Sequence, residues 1–296
     1  MESKQCGGID LHIHSTASDG TFSPSEILQL AAQAGLQAIS ITDHDTLDGS
    51  RQALQCDIAP GLRFVTGVEI SAQPPDECQT HGSLHILGYG VDPDHVELVE
   101  TLHRFQQVRQ TRIHQIIERL HQLGVRLNLE QVMAEVGEGA PGRPHVASAM
   151  IKAGIVPDIE AAFQNYLGKG RPAYVTKERL DCRQAFALIL AAGGIPVLAH
   201  PYLVECQEPD GWSNLLERLC ALGLKGLEVY YTKHPPEAVL HYQVMAEKFG
   251  LIATGGSDFH GALTPDIKIG RGTGNLHIPY ELFENMISVF GLKHIR

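Results

Sequence analysis

The sequence predicts an α/β fold, with a largely parallel sheet and a helical segment inserted between its two halves. Runs typical of buried strands alternate with amphipathic helical patterns at both ends of the chain, as in successive βα units. The alternation stops over residues 97–180, where helical patterns dominate. The chain has 296 residues, of which 43% are hydrophobic and 19% charged. This composition suits one large globular domain, or a smaller domain carrying an insertion.

The first part of the chain supplies four strand signals and one capped helix. Apolar runs predict strands at residues 9–13, 36–42, 63–70 and 83–91. Ser23 and Glu26 have the spacing of a capping box, and Gly35 follows the last periodic residue. We therefore expect a helix over residues 25–34.

The middle of the chain predicts helices rather than strands. Its helical patterns cover residues 99–123, 129–136, 144–153 and 158–167, and a strand signal returns only at 172–176. We therefore divide the chain into a catalytic domain, residues 1–96 and 181–296, and a helical insertion, residues 97–180.

The last part of the chain resumes the alternation. Helices are predicted at residues 182–192, 212–222, 236–249 and 280–290, and strands at 195–199, 225–231 and 251–255. Together with the first part, this makes seven strands. Short links between successive βα units favour parallel neighbours and right-handed crossovers, hence a barrel-like or a doubly wound sheet.

Composition excludes several classes of protein. The net charge of −11 argues against a protein that binds long nucleic acid through its phosphate backbone. None of the six cysteines forms a CxxC pair, which favours reduced thiols in a cytoplasmic protein. The N-terminus lacks a signal-peptide pattern, and the longest apolar run, 185–199, is too short and too broken to span a bilayer. We expect a cytoplasmic protein without a membrane partner.

Histidines and carboxylates occur where the predicted strands end. The candidates are His12, His14, Asp43, His44, Glu69, His85, His200, Glu228, Asp258 and His260. For Glu228, a strand residue, two roles stay open, namely metal binding and orientation of a neighbouring histidine. In a βα barrel the strand ends meet on one face, so these side chains would converge. Such a cluster of charges needs cations or large pKa shifts, and cations are the simpler explanation. Imidazole and carboxylate ligands without thiolate suit Zn²⁺, Mn²⁺ or Fe²⁺, and the number of ligands implies two or three ions.

Four motifs occur in order along the chain, with two further candidates between them. The motifs are DLHIHS (10–15), TDHD (42–45), AHP (199–201) and GSDFH (256–260), while Glu69 lies in GVEIS and His85 in LHILGY. With these motifs the sequence resembles the PHP (polymerase and histidinol phosphatase) family of metal-dependent phosphoesterases. The resemblance implies a distorted (β/α)7 barrel with a small helical cap domain and a trinuclear metal site.

The resemblance also implies an assignment of ligands to three ions. The first ion would be held by His12, His14, Glu69 and Asp258. Glu69 would bridge to a second ion, which His85 and His200 would also bind. The third ion would be held by Asp19, His44 and His260.

The helical insertion is similar to the cap of one branch of this family. That branch includes nucleoside 3′,5′-bisphosphate phosphatases and RNase AM-type 5′→3′ exoribonucleases. The matching positions are Arg143, His145 and Arg171 in the insertion and His234 after the sixth strand. By this resemblance they bind substrate, and the arginines would hold phosphate oxygens through their paired N–H groups.

The predicted reaction is hydrolysis of a phosphate ester by a metal-activated water. Arg143 or Arg171 would stabilise charge on the phosphoryl oxygens, and His200 or His234 would protonate the leaving oxygen. The expected substrate is a nucleoside 3′,5′-bisphosphate losing its 3′-phosphate, or else a short 5′-phosphorylated oligonucleotide degraded by a 5′→3′ exonuclease.

Two other classes remain as alternatives at this point. An amidohydrolase also begins with HxH in a barrel, but commonly has a lysine where this chain has Glu69. An inactive metal-binding module is the second alternative, although such modules usually lose motif residues and none is missing here. The sequence does not reveal the oligomeric state.

Overall fold

The computed structural model describes residues 7–75, 78, 80, 81, 84–136, 142–176, 179–206 and 211–296. The chain forms two compact units. The barrel unit comprises Met1–Glu100 and Arg179–Arg296, and the helical unit comprises Thr101–Glu178. The division predicted from the sequence, into a catalytic domain of residues 1–96 and 181–296 and a helical cap of residues 97–180, stays a prediction.

The barrel unit is built on an eight-stranded sheet whose main path runs β1-β2-β3-β5-β7-β9-β10. These strands are β1 (Ile9–Ile13), β2 (Ala38–Ile41), β3 (Arg63–Gln73), β5 (Leu84–Tyr89), β7 (Ile195–Leu198), β9 (Gly226–Tyr231) and β10 (Ile252–Gly256). The short strand β6 (Leu180–Asp181) pairs with β3 beside this path. A separate two-stranded ribbon joins β4 (Thr80–His81) to β8 (Glu205–Cys206).

The sheet is parallel except at β5. Strand β5 runs antiparallel to both of its neighbours, β3 and β7, whereas the other pairs along the main path are parallel. The expectation of parallel neighbours is therefore wrong at this strand. The described residues between β3 and β5 include no helix, and a connection without a crossover helix returns the chain in the opposite direction.

The two edges of the sheet approach each other where β10 ends beside β1. The Asp258 N–H donates to the His12 carbonyl at 2.9 Å, and the His14 N–H donates to the Phe259 carbonyl at 2.9 Å. Gly256 allows this approach, because a Cβ there would lie 2.2 Å from the His12 Cβ. The sheet is thus a nearly closed barrel, which confirms the predicted fold class.

Ten α-helices accompany the strands in the described part of the chain. They are α1 (Pro24–Gln33), α2 (Asp48–Gln55), α3 (Val96–Gln122), α4 (Leu129–Val136), α5 (Arg143–Lys152), α6 (Ile159–Ala162), α7 (Cys182–Ala191), α8 (Gly211–Leu222), α9 (Pro236–Phe249) and α10 (Tyr280–Phe290). None of the described helices is long and apolar enough to cross a membrane.

Local sequence signals account for α1 but not for α2. Ser23 and Glu26 form the capping box, with the Ser23 N–H donating to Glu26 Oε2 at 2.8 Å, and Gly35 follows in the left-handed region at φ 73°. Helix α2 is missing from the sequence prediction. Leu47 stands at its N-cap without a side-chain hydrogen bond, so no capping signal marks where it begins.

The helical unit has its own apolar core. Buried members of this core include Ile116, Leu120, Val132, Val146 and Met150. Helix α6 continues as a π-helical segment, Phe163–Leu167. The strand predicted at 172–176 is wrong, because these residues form a turn followed by irregular chain. The Ala173 N–H donates instead to the Tyr166 carbonyl at 3.0 Å.

Candidate metal centre

All nine predicted metal ligands lie in the barrel unit and form one cluster. His12 and His14 come from the end of β1, and Asp19 from the loop that follows. The others are His44 after β2, Glu69 on β3, His85 on β5, His200 after β7, and Asp258 and His260 after β10. Backbone pairing aligns two of them, since His44 forms a parallel bridge with Glu69. The cluster therefore lies where several strands end, as expected for a βα barrel.

Glu69 is the centre of the cluster. It is buried, with 1% of its surface exposed, and five imidazole nitrogens surround its two oxygens. Oε1 lies 2.8 Å from His85 Nδ1 and 3.0 Å from His200 Nε2. Oε2 lies 3.1 Å from His44 Nδ1, 3.2 Å from His14 Nε2 and 3.4 Å from His12 Nε2.

Two aspartates extend the cluster to either side of His14. Asp258 Oδ1 lies 3.2 Å from His14 Nε2 and 3.5 Å from His12 Nε2. Asp19 Oδ1 lies 3.5 Å from His14 Nδ1 and 3.4 Å from His260 Nε2. The two nitrogens of His14 thus face different carboxylates.

Several buried ligand atoms in this cluster have no hydrogen-bond partner. They are His12 Nε2, both ring nitrogens of His14, His44 Nδ1, Glu69 Oε2 and His200 Nδ1. Buried polar atoms without partners are costly, and these atoms converge in space. Four groups have ligand atoms within 4.8 Å of one another, namely His14–Asp19–His44–His260, His12–Glu69–His200, His12–His14–Asp258 and His44–Glu69–His85. This donor set fits divalent cations that accept nitrogen and oxygen ligands.

The electrostatics of the cluster favour positive charge. Burial opposes ionisation of Glu69 and Asp258, but the imidazoles around them outweigh it and hold both carboxyl pKa values well below their usual range. Burial also opposes a charged His14, yet the nearby carboxylates of Asp258 and Glu69 raise its pKa to about 10. Burial dominates at His44 and lowers its pKa to about 3. In the absence of metal, protonated imidazoles therefore supply part of the positive charge that bound cations would otherwise supply.

Glu228 orients two of the histidines. It is fully buried. One of its oxygens accepts from His12 Nδ1 at 2.9 Å, and the other accepts from the His200 N–H at 2.6 Å. Because Nδ1 of His12 donates to Glu228, Nε2 is the nitrogen that is left to bind a metal ion, once it has lost its proton. Glu228 belongs to none of the four ligand groups, so its contacts support the orienting role rather than direct metal binding.

We expect Glu228→Gln to lower metal affinity about 10- to 100-fold, as for other residues that orient metal ligands. The amide would keep one acceptor but direct an NH₂ group at either His12 or the His200 N–H, both of which are donors. Titration with Mn²⁺ measures the effect, and thermal unfolding of the metal-free variant tests whether the fold is intact. Unchanged affinity in a folded variant would contradict the orienting role.

Two further buried carboxylates hold the loops that carry ligands. Asp10 accepts from Ser257 N–H at 2.8 Å and from its hydroxyl at 2.6 Å, which fixes the segment leading to Asp258. Asp43 accepts from Ser15 N–H and from its hydroxyl, both at 2.7 Å, which fixes the loop leading to Asp19. The role of Asp10 was not predicted, and Asp43 was predicted to join the cluster but was not assigned to any ion, although both residues stand in the motifs DLHIHS and TDHD.

The backbone is strained at three residues beside the cluster. Asp45, His200 and Asp258 are the non-glycine residues with positive φ among the described residues, at 52°, 26° and 57°. Such conformations cost about 1–3 kcal/mol each and are typical of functional sites. At His200 and Asp258 the strain turns the chain so that a candidate ligand faces the cluster.

His234 lies beside the cluster and is buried. Its ring centroid is 5.1 Å from that of Tyr231, whose hydroxyl donates to Asp258 Oδ2 at 3.1 Å. His234 Nδ1 donates to the Val229 carbonyl at 2.7 Å. Burial lowers the pKa of His234, so the ring is neutral near pH 7.

The predicted substrate-binding residues of the insertion lie in the helical unit. Arg143 donates from Nη1 to the Leu167 carbonyl at 3.1 Å, and its guanidinium lies 5.4 Å from the ring centroids of both Phe163 and Tyr174. His145 Nδ1 accepts from the Gly142 N–H at 3.0 Å, at the beginning of α5. Arg171 is exposed. These contacts connect Arg143 and His145 to the fold of the unit, and their roles in substrate binding stay predictions.

A barrel with this cluster at its strand ends defines a metal-dependent enzyme. The sequence profile of the PHP domain family matches residues 10–264. The chain belongs to this family.

Two relatives and one solved structure define the class of reaction. The chain is 32% identical over 265 residues to a 3′,5′-nucleoside bisphosphate phosphatase of Chromobacterium violaceum, covering 85% of this chain and 87% of the relative. It is 32% identical over 255 residues to a 5′-3′ exoribonuclease of Haemophilus influenzae, covering 85% and 89%. A structure from Bifidobacterium adolescentis, described as a metal-dependent phosphoesterase, has a TM-score of 0.79 at 28% identity and covers 96% of both chains. The protein is a metal-dependent hydrolase of phosphate esters, and its donor set and family both indicate divalent metal ions as cofactors.

Proposed function

We propose that this protein removes the 3′-phosphate from a nucleoside 3′,5′-bisphosphate, using two or three divalent ions, Mn²⁺, Zn²⁺ or Fe²⁺. The observation that supports the metal centre is the convergence of buried, unpartnered imidazole and carboxylate atoms around Glu69. The choice of substrate is supported by the relative from Chromobacterium violaceum, named for this activity.

The proposed ligands fall into three sets. His12, His14, Asp258 and Glu69 would hold one ion, while Glu69, His85 and His200 would hold a second. Asp19, His44 and His260 would hold a third. Bound divalent ions supply a hydroxide nucleophile at neutral pH and neutralise charge on the phosphoryl oxygens.

The protein's own groups orient the ligands. Glu228 holds His12 and the backbone of His200, and Tyr231 holds Asp258 through its hydroxyl.

His200 already directs Nε2 at Glu69, 3.0 Å away, so as a metal ligand it is not free to act as a proton donor. His234 is neutral, with its proton on Nδ1 donated to Val229. Neither histidine is therefore well suited to be the resting general acid predicted from the sequence.

The helical unit would supply phosphate contacts through Arg143, His145 and Arg171. This part of the proposal rests on the resemblance and on the chemistry of arginine, whose paired N–H groups match phosphate oxygens. Arg143→Ala should raise KM for a bisphosphate more than it lowers kcat.

The direct test is release of inorganic phosphate from adenosine 3′,5′-bisphosphate by the purified protein with Mn²⁺. His14→Ala should abolish turnover, because His14 belongs to two of the four groups of converging ligand atoms. His277→Ala is the matched control, since His277 is exposed and outside the cluster. Absence of phosphate release from the wild-type protein would disprove the proposed activity.

A 5′→3′ exoribonuclease is the second candidate, supported by the relative from Haemophilus influenzae. A short 5′-phosphorylated RNA, incubated under the same conditions, separates the two activities. Mononucleotide products with an inert bisphosphate would favour the exoribonuclease. Hydrolysis of a cyclic amide would instead support an amidohydrolase. Fewer than one bound ion per chain would support an inactive metal-binding module.

A further inference from the structure

A group of aromatic rings lies beside the metal centre, and the role given above to Tyr231 does not account for the other members. The His234 ring lies at its middle, with centroids of Tyr242, Tyr231 and Tyr202 at 5.0, 5.1 and 5.9 Å. Tyr231 connects this group to the metal centre, because its ring lies 5.6 Å from that of His200 and its hydroxyl donates to Asp258. Tyr231 and Tyr242 are buried, whereas Tyr202 is exposed, so Tyr202 is the ring of this group that solvent reaches.

His234 presents a buried hydrogen-bond acceptor in this group. A carbonyl oxygen only accepts, so the 2.7 Å contact with the Val229 carbonyl places the proton on Nδ1. Nε2 then carries a lone pair. His234 is only 8% exposed, and its Nε2 has no hydrogen-bond partner. A buried acceptor of this kind is satisfied by a ligand that donates an O–H or N–H.

Tyr202 presents an exposed aromatic ring next to that acceptor. It is 52% exposed, and it meets the His234 ring at an interplanar angle of 65°. Tyr202 lies two residues after His200 in a short 3₁₀ segment that begins with the buried Pro201. The position of the ring is thus tied to a candidate metal ligand. Exposed aromatic faces of this kind bind nucleobases by stacking.

We propose that Tyr202 and His234 form the nucleoside subsite of the enzyme. Tyr202 stacks on the base, and His234 Nε2 accepts a hydrogen bond from a nucleoside donor, either a ribose hydroxyl or an exocyclic amino group. This inference rests on the proposed function, which requires a nucleoside next to the metals. Nε2 does not donate to a phosphate oxygen, because the proton of the neutral ring is on Nδ1.

The first test compares Tyr202→Ala with Tyr202→Phe on two substrates. On adenosine 3′,5′-bisphosphate, Tyr202→Ala should raise KM about 5- to 150-fold, the range of a lost base–aromatic stack, whereas Tyr202→Phe should stay near the wild type. On the abasic ribose bisphosphate, both variants should match the wild type. Equal effects on both substrates, or no effect on either, would overturn the stacking role.

The second test identifies the donor. Wild-type protein should discriminate against either 2′-deoxyadenosine 3′,5′-bisphosphate or inosine 3′,5′-bisphosphate, according to whether the ribose hydroxyl or the base amino group faces Nε2. His234→Phe keeps an aromatic ring but removes Nε2, so it should abolish that discrimination. If the wild type treats all three substrates alike, or if the variant discriminates as before, the acceptor role is wrong.

A binding measurement separates this inference from the proposed function. Trp212 is the single tryptophan of the chain, and its ring lies 5.5 Å from that of Tyr242, which contacts His234. Adenosine monophosphate should therefore change Trp212 fluorescence in the metal-free wild type, and this change should be lost in Tyr202→Ala. A fluorescence change without bisphosphate hydrolysis would support the subsite and refute the activity. Hydrolysis with neither a fluorescence change nor dependence on Tyr202 would support the proposed activity and refute the subsite.

Discussion

Replacement of Glu69 by glutamine is expected to remove most bound metal and to reduce phosphoester hydrolysis by at least about 1,000-fold. Two of the four ligand groups include Glu69, and five imidazole nitrogens lie within 3.4 Å of its oxygens. Loss of the charge would leave these nitrogens without their common anion. The expected decrease corresponds to several kcal/mol of lost transition-state stabilisation, at about 1.4 kcal/mol for each factor of ten.

Metal content by mass spectrometry and turnover with a saturating bisphosphate measure both effects. Glu237→Gln is the matched control, because Glu237 is an exposed residue in the first turn of α9. A Glu69→Gln protein that retains its full complement of ions and its activity would refute the central place of this carboxylate.

Metal affinity is expected to rise steeply with pH between 6.5 and 8.5. Without metal, His12 and His14 have raised pKa values, and that of His14 reaches about 10. A metal must displace these protons, and each displaced proton makes affinity change about tenfold per pH unit. Two protons would give about 100-fold per unit. Competition with a fluorescent chelator at several pH values measures the slope, and a flat profile would contradict the prediction.

The metal-free protein should be most stable near pH 6.5. The raised pKa of His14 contributes stability below its usual value of 6.5, and this contribution disappears as the pH rises toward about 10. The lowered pKa of His44, about 3, has the opposite effect: stability decreases as the pH falls from 6.5 toward 3. Thermal unfolding across this range, with and without Mn²⁺, follows both effects. Metal should abolish the loss of stability on the alkaline side, because bound ions replace the protons.

The convergence of nine side chains was predictable because most of them follow or end strands that apolar runs identify. Neighbouring strand ends meet at one edge of a barrel whatever the details of the loops. For Glu228 the sequence left two roles open, metal binding and orientation of a neighbouring histidine, because its position on β9 does not tell whether its oxygens face an ion or the Nδ1 proton of His12. The role of Asp43 stayed open for the same reason, since its contacts with Ser15 depend on how a loop folds back.

Two elements of the fold also lay outside what the sequence pattern contains. Helix α2 is short and begins without a capping side chain, so neither its start nor a long apolar stripe marks it. The direction of β5 depends on the connection before it, whereas a buried strand has the same apolar pattern in either direction.

The reversed strand has a consequence for how the chain can change in length. His85 is the second residue of its strand, so it joins the cluster from the N-terminal end of β5. His12, His200 and Asp258 instead lie at or just after the C-terminal ends of their strands. One extra residue inside β5, after His85, would shift the register of His85 against the rest of the strand and turn its imidazole to the other face of the sheet. Extra residues upstream of Leu84 would merely enlarge the connection. Insertions and deletions should therefore be tolerated before Leu84 and excluded from the strand that follows it.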